Sequence, residues 1–339
     1  MKTATAFVSA LFCLSLSWSA GAQDFYAGKT IRVIVGGSPG GGFDVYTRAL
    51  ARHMGRHIPG NPNLVVESMP GAATRIAAKY IHSSAKPDGL TFGIFNGYLI
   101  LGRVLGTQGI DFDVRKFEFI GVPVSDNVVC ALHKASGITN LQQWFEAKTP
   151  VKIGALGPGN STGDVPRVLK AALDLPIQMV EGYKGTADIR LAADSGEVAG
   201  GCWGWESVKV TWKSGLGSGN VNVIIQATAK ALPDLARVPV ALDLAKTEEA
   251  RELIKTGAIA PATITRLYAT TAGTPKDRVE ILRKAFIATL KDPEFVAEAK
   301  KSGLEIDPLT GEEVEKIVEG MFSLRPATVS KLAAVLAVK

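Results

Sequence analysis

The stretch Ile31-Arg32-Val33-Ile34-Val35-Gly36-Gly37-Ser38-Pro39-Gly40-Gly41-Gly42-Phe43-Asp44-Val45-Tyr46 decides the fold. Its first five residues are mostly β-branched and nearly all apolar, as expected for a strand buried on both faces of a parallel sheet. The glycines between Gly36 and Gly42 then call for a sharp turn. Beyond it, Val45, Tyr46, Ala49, Leu50 and Met54 fall on one stripe at helical spacing, with Arg48, Arg52 and Arg56 elsewhere. Strand, glycine turn and helix make the unit of an α/β sheet with right-handed crossovers, and in such sheets ligands sit beyond the carboxyl ends of strands.

The unit recurs along the chain. Strands are expected at Leu64-Val66, Thr91-Phe95, Phe119-Val124, Val128-Leu132, Val151-Leu156, Ile177-Val180, Val198-Cys202 and Val221-Ala227. Helices are expected at Ile76-Ser84, Asn140-Lys148 (with Thr139 as N-cap), Pro166-Leu173 and Ala187-Asp194, with three more near the C-terminus. A length of 339 residues suits two domains. With no flexible linker in sight, the chain is expected to cross between them by strands, so that the first domain, 23–124 and 228–339, is discontinuous and the second is 125–227.

Residues 1–22 read as a secretory signal peptide: Lys2, an apolar stretch from Ala4 to Trp18, then the A-x-A pattern Ala20-Gly21-Ala22. Ser15, Ser17 and Ser19 argue against a membrane anchor. The formal net charge of +6 falls to +5 once Lys2, the only charge in that segment, is removed. Basic residues alternate with acids on segments such as Glu294 to Lys301, which reads as solvated helix faces and not a nucleic-acid groove. Cys130 and Cys202 remain in an oxidising compartment. Both lie in apolar, strand-like runs, so two buried free thiols are preferred over a disulfide.

Gly36 to Gly42 lacks the G-x-G-x-x-G frame, and Phe43-Asp44 stand where a P-loop has Lys-Ser/Thr. What remains is a run of unhindered N–H groups at the positive end of a helix, suited to a carboxylate as readily as a phosphate. Asp44 is expected to organise this loop. Gly159-Asn160-Ser161-Thr162-Gly163 fits the G-x-S-x-G of serine hydrolases, which makes a secreted hydrolase using Ser161 the enzyme alternative. The α/β-hydrolase order needs a histidine after the serine, and His53, His57, His82 and His133 all precede it. The segment reads better as a second polar turn. His53 and His57, four apart beside Arg52 and Arg56, read as a solvated helix face, and no metal or cofactor is expected. Tyr183-Lys184-Gly185 offers an O–H and a charge before another helix. Trp203 and Trp205, bracketing Gly204, could wall a ligand, whereas Trp212 is expected in the core.

In this order the turns resemble the periplasmic solute-binding proteins of tripartite tricarboxylate transporters, the Bug family, from Lys29 to about Glu313. Gly40-Gly41-Gly42-Phe43-Asp44 resembles the family's P-A-G-G-x-x-D turn, Glu67-Ser68-Met69-Pro70-Gly71-Ala72 its E-N-R-P-G-A, and Pro87-Asp88-Gly89 its P-D-G-Y-T. Gly157 to Gly163 resembles S-G-x-G-S-x, Tyr183-Lys184-Gly185 is Y-K-G, and Ala272-Gly273-Thr274-Pro275-Lys276 is A-G-T-P-K, with Asp292-Pro293-Glu294 as the D-P-E beyond. The resemblance implies a two-domain Venus-flytrap with doubly wound sheets, exported to the periplasm, monomeric and non-enzymatic. It would close on a di- or tricarboxylate or an aromatic or aliphatic acid and deliver it to transporter membrane subunits; partnership with a sensor kinase is the alternative within binding proteins. Carried onto this chain, the ligand would meet Ser38, Pro39, Gly40, Gly41 and Asn96 from the first domain, and Gly157, Asn160, Ser161, Thr162, Tyr183 and Lys184 from the second. Gly36 and Gly37 replace the usual aromatic and proline, and Trp203 replaces a common aspartate, which favours a ligand with an apolar or aromatic body over one that carries an amino group.

Overall fold

The computed structural model describes Phe25–Ala337; the signal-peptide segment lies outside these residues. Two mixed sheets carry the chain. The first runs β11-β4-β10-β3-β1-β2, with β1 (Thr30–Val35), β2 (Asn63–Ser68), β3 (Thr91–Asn96), β4 (Glu118–Val122), β10 (Arg266–Thr270) and β11 (Leu309–Thr310). The second runs β7-β6-β8-β5-β9, with β5 (Val128–His133), β6 (Val151–Ala155), β7 (Ile177–Glu181), β8 (Gly200–Gly204) and β9 (Val221–Ala227). In the first sheet β1 lies parallel between β2 and β3, while β10 runs antiparallel between β3 and β4. In the second, β6 is parallel to β7 and β8, and β5 is antiparallel to β8 and β9.

The helices that matter here are α1 (Gly42–Met54), α2 (Ser161–Leu173), α3 (Thr186–Asp194), α4 (Glu248–Ile254), α5 (Lys276–Lys291), α6 (Pro293–Ser302), α7 (Gly311–Phe322) and α8 (Pro326–Leu336). α1 buries Tyr46, Ala49, Leu50 and Met54 in one apolar cluster with Val33 and Val35 of β1 and Leu282 and Phe286 of α5. α4 packs against α2, so the segment after β9 stays on the second sheet before β10 returns to the first. α7 covers β4, and α8 then crosses back to α2. Among the described residues no helix is long and apolar enough to cross a membrane.

Several local expectations are corrected. Cys130 and Cys202 are not free thiols but a disulfide (S–S 2.02 Å), because β8 lies beside β5 in a register that sets them directly opposite. The cap of the Leu141–Phe145 helix is Asn140, whose side chain accepts from Gln143 N, while Thr139 bonds to the Gln143 side chain. α2 begins at Ser161, five residues before Pro166, because Asn160 caps it there. The strand expected at Val198-Cys202 is shifted to Gly200–Gly204. His53 and His57 do not form a solvated face: His53 is 7 % exposed, pairs with Glu298 (2.7 Å) and packs edge-on to Phe295, and His57 pairs with Asp292 (2.7 Å). Ligand atoms of His53, Asp292 and Glu294 lie within 4.8 Å of one another, but Arg56 and His57 already engage the two carboxylates.

Candidate functional site

The turn after β1 is held by its own residues. Gly40 sits at φ +74°, which glycine adopts without strain. Its N–H donates to Asp44 Oδ2 (2.9 Å), and Asp44 Oδ1 accepts from Arg48 Nε (2.8 Å), so Asp44 organises the loop. Gly41 is the N-cap of α1 and brings no side-chain acceptor to the N–H groups of the first turn. A Cβ on Gly42 would overlap Ser207 of the second sheet's lobe, so glycine lets the helix end reach across the cleft.

The opposite wall has the same design. Asn160 Oδ1 accepts from Thr162 N (3.0 Å) and Thr162 Oγ1 (2.9 Å), and Thr162 Oγ1 accepts from Leu156 N (2.9 Å). Ser161 Oγ accepts from Asn96 Nδ2 (3.4 Å), linking the walls. Gly185 is the N-cap of α3, again without a side-chain acceptor. Its missing Cβ leaves room for Ser38, whose backbone N would stand 2.6 Å away. The glycine turns of the two lobes are therefore in contact, and the cleft is nearly shut.

Between the walls lies a cavity in which the centre of a water-sized sphere can move through about 40 Å³. It is lined from one side by the first glycine turn, Thr74, Asn96 and Thr265, and from the other by Leu156, Asn160–Thr162, Gly185, Thr186, Trp203 and Ser207, with Asp126 at the crossing between β4 and β5. Among the described residues none lining it is Lys, Arg or His. Thr74 reaches it from a left-handed turn in which Ala72 (φ 46°), Ala73 (φ 52°) and Thr74 (φ 73°) follow one another. Each such residue costs about 1–2 kcal/mol. The turn sets Thr74 Oγ1 to accept from Asn96 N (3.1 Å).

Behind the cavity sits a buried charge cluster. Arg266, at the start of β10, is fully buried and donates from Nε to Asp126 Oδ1 (2.7 Å), from Nη2 to Ser207 Oγ (2.8 Å) and from Nη1 to the Gly42 carbonyl (3.4 Å). Its guanidinium lies 4.3 Å from the Tyr46 ring centroid. Glu206 accepts from Asn127 N (3.0 Å) and Asn127 Nδ2 (2.7 Å). Burial, with Asp126 nearby, pushes Glu206 up to about 7, and burial raises Asp126 as well, against the pull of Arg266. Asp164, in the first turns of α2, accepts from Gly159 N (3.0 Å) and is pushed up by burial to about 7.

Of the residues marked in the sequence, Ser38, Gly41, Asn96, Asn160, Ser161, Thr162 and Trp203 line this cavity. Pro39 and Gly40 face solvent on the outer side of their turn, and Lys184 is exposed. Gly157 lines a separate cavity with Arg75 and Glu181. Tyr183 donates to Glu197 (2.5 Å), and burial together with that bond raises its phenol to about 12. Trp205 is not among the residues that line this cavity; it packs in the second lobe's core and bonds to Asp234 (3.3 Å). Trp212 is core, stacked at 5.5 Å under Trp203. No motif signalled Asp126, Thr74, Thr265 or Ser207. No histidine lines the cavity beside Ser161.

Two α/β lobes closing on a cavity at the carboxyl ends of β1, β3, β6 and β8 define the periplasmic binding protein fold. No family model and no curated protein sequence matches the chain. Among solved structures it is similar to the periplasmic binding protein BugD, with a TM-score of 0.73 and 22 % identity over 92 % of this chain and 99 % of that one. Rpa4515 of Rhodopseudomonas palustris with adipate gives 0.71 and 20 % over 91 % and 98 %. MatC from the same organism with bound malate gives 0.70 and 18 % over 90 % and 99 %. The shared feature is the fold.

Proposed function

We propose that the chain is a periplasmic receptor that captures a small carboxylate between its lobes and hands it to the membrane subunits of a tripartite tricarboxylate-type transporter, without chemistry of its own. The observation that carries this is the cavity at which the side-chain-free N-termini of α1 and α3 meet across the cleft. Unpaired N–H groups and the helix dipoles favour an anion there. Relatives in fold that hold malate and adipate support the same ligand chemistry. Hydrogen bonds to a charged group are worth about 1.5–3 kcal/mol each, so a few support micromolar affinity, about −8 kcal/mol, after association costs.

In this proposal the lobes are residues 25–122 with 266–322 and residues 128–262 with α8, and ligand shifts the population toward the closed form by bonding to both. Native mass spectrometry of the protein as purified, followed by thermal-shift titration with organic acids, is the test. A retained acid, or an acid that raises the melting temperature, is expected; ester hydrolysis abolished by Ser161→Ala would overturn the non-enzymatic assignment.

A further inference from the structure

Two carboxyl groups and one guanidinium are buried together at the joint between the lobes. Asp126, Glu206 and Arg266 are 7 %, 0 % and 0 % exposed. They come from three places: Asp126 from the β4–β5 crossing, Arg266 from β10 of the first sheet, and Glu206 from the helix Trp205–Thr211 that follows β8 of the second. The guanidinium answers Asp126 at 2.7 Å. Glu206 accepts from the backbone and side-chain amides of Asn127, the residue next to Asp126. Tyr46 of α1 lies against the guanidinium, and its phenol, pushed up to about 12, stays neutral. Lys209, on the same helix as Glu206, pairs instead with Glu305 and Asp234. With both carboxyl groups ionised, the joint would hold one negative charge in excess.

This joint is also a wall of the cavity. Asp126 lines it beside Gly204, where a Cβ would stand 2.5 Å from Asp126 Oδ2. The N-termini of α1, α2 and α3 all border the cavity, and each helix has an acid in its first turn, Asp44, Asp164 and Asp188, that already draws on its dipole. An anionic guest would therefore arrive next to a joint with no spare cation. Like charges brought together out of water favour the protonated form of one of them.

We infer that closing the cleft on an anion takes up one proton from solution, held by Glu206 beside Asp126, and that Glu206 is a positioning residue whose protonation steadies the closed joint; the inference rests on the carboxylate-receptor reading above. The environment of Glu206 supports this direction. Burial, with Asp126 beside it, already pushes its carboxyl up to about 7, and a further negative charge in the cavity raises it more. Asp164 is pushed up to a similar level, but Arg167 and Arg75 both act to lower it, whereas Glu206 shares its one guanidinium with Asp126. No histidine lines the cavity to take the proton instead. Because the bound form holds the proton more tightly, affinity should be highest where Glu206 is protonated beforehand. It should fall by up to tenfold per pH unit as pH rises above about 7, until the bound form ionises too.

The test is calorimetric titration with malate, adipate, succinate and benzoate at pH 7.5 in Tris and in HEPES, whose different ionisation enthalpies count the protons taken up. All four acids are ionised there, so a proton taken up goes to the protein. The best-binding acid should bring about half a proton or more, and its Kd should weaken by about tenfold between pH 7 and pH 8.5. In Glu206→Gln, which mimics the protonated carboxyl, uptake should vanish and binding at pH 8.5 should be tighter than in wild type, an outcome that mere loss of structure does not give. Binding by wild type without proton uptake, a measurement that needs no variant, overturns this inference and leaves the receptor reading standing; no binding by any of the four acids overturns both. Uptake that persists in Glu206→Gln, or that vanishes in Asp164→Asn instead, overturns the assignment to Glu206.

Discussion

Replacing Arg266 by Met tests how the closed cleft is held. The guanidinium is fully buried, bonds to Asp126, Ser207 and the Gly42 carbonyl, and lies against Tyr46, so one side chain ties β10, the β4–β5 crossing, the first turn of α1 and the second lobe together. Met fills much of the volume but leaves Asp126 as an unpaired buried carboxylate. Breaking a buried ion pair in this way costs about 3–5 kcal/mol, a large part of a native stability of about 5–15 kcal/mol. At about 2–4 °C per kcal/mol, the melting temperature should fall by roughly 10 °C. The sign with pH follows from Asp126. Its folded pKa lies above its unfolded value and rises further once the arginine is gone, so the protonated carboxyl is favoured in the folded state. The deficit of Arg266→Met should thus be smallest near pH 4 and grow as pH rises through the folded pKa. Adding Asp126→Leu removes the stranded charge and should recover much of the loss. Thermal and urea unfolding of wild type, both single variants and the double variant at pH 4.5 and pH 8 measure all of this. A loss under 1 kcal/mol for Arg266→Met, or a double variant no more stable than that single one, would refute the reasoning.

Further outcomes follow from other contacts. Asp164, buried and raised to about 7 from an ordinary 3.8, opposes folding increasingly from pH 4 to pH 7, by up to about 4 kcal/mol at 1.36 kcal/mol per unit. Asp164→Asn should flatten the pH dependence of stability across that window, measured by denaturant midpoints at each pH; an unchanged slope would contradict its burial as a carboxylate. The Cys130–Cys202 bridge spans 72 residues, so its loss in the Cys130→Ala/Cys202→Ala variant should cost about 4 kcal/mol and roughly 10 °C in melting temperature. A drop of only a degree or two would show that the paired strands alone hold that edge. Gly185→Ala keeps an extended backbone that any residue adopts, but its Cβ would push on Ser38. The variant should fold normally and bind its best acid at least tenfold more weakly, with a larger radius of gyration by small-angle scattering in the presence of ligand. Normal affinity would mean that the lobes do not need to meet at this point.

Much of the fold was legible because its signals are local. The apolar run of β1, the glycines after it and the stripe from Val45 to Met54 sit within twenty-five residues, and each is a propensity or a period. The glycine turns of the site were legible for the same reason. What escaped depends on distant chain. The disulfide follows from β8 lying beside β5, an ordering that no pattern in either strand states. His53 reads as a surface residue until Glu298 and Phe295 arrive from 245 and 242 positions away. The early start of α2 was hidden because Ser161, Thr162 and Gly163 are poor helix formers, and the Asn160 cap outweighs them. Asp126 and Thr265 escaped because each belongs to a crossing between lobes, where position and not residue type makes the site.

The absence of Lys, Arg and His from the described cavity lining has a consequence for how the protein meets its surroundings. An anion site built on mobile cationic side chains weakens as salt screens it and draws its ligand in from a distance when salt is scarce. In the proposed carboxylate site the attraction would come from helix N-terminal N–H groups and hydroxyls, shut behind two glycine turns. Affinity in such a cleft should stay level from dilute buffer to several hundred millimolar salt, with association set by diffusion and lobe closure and little by ionic strength.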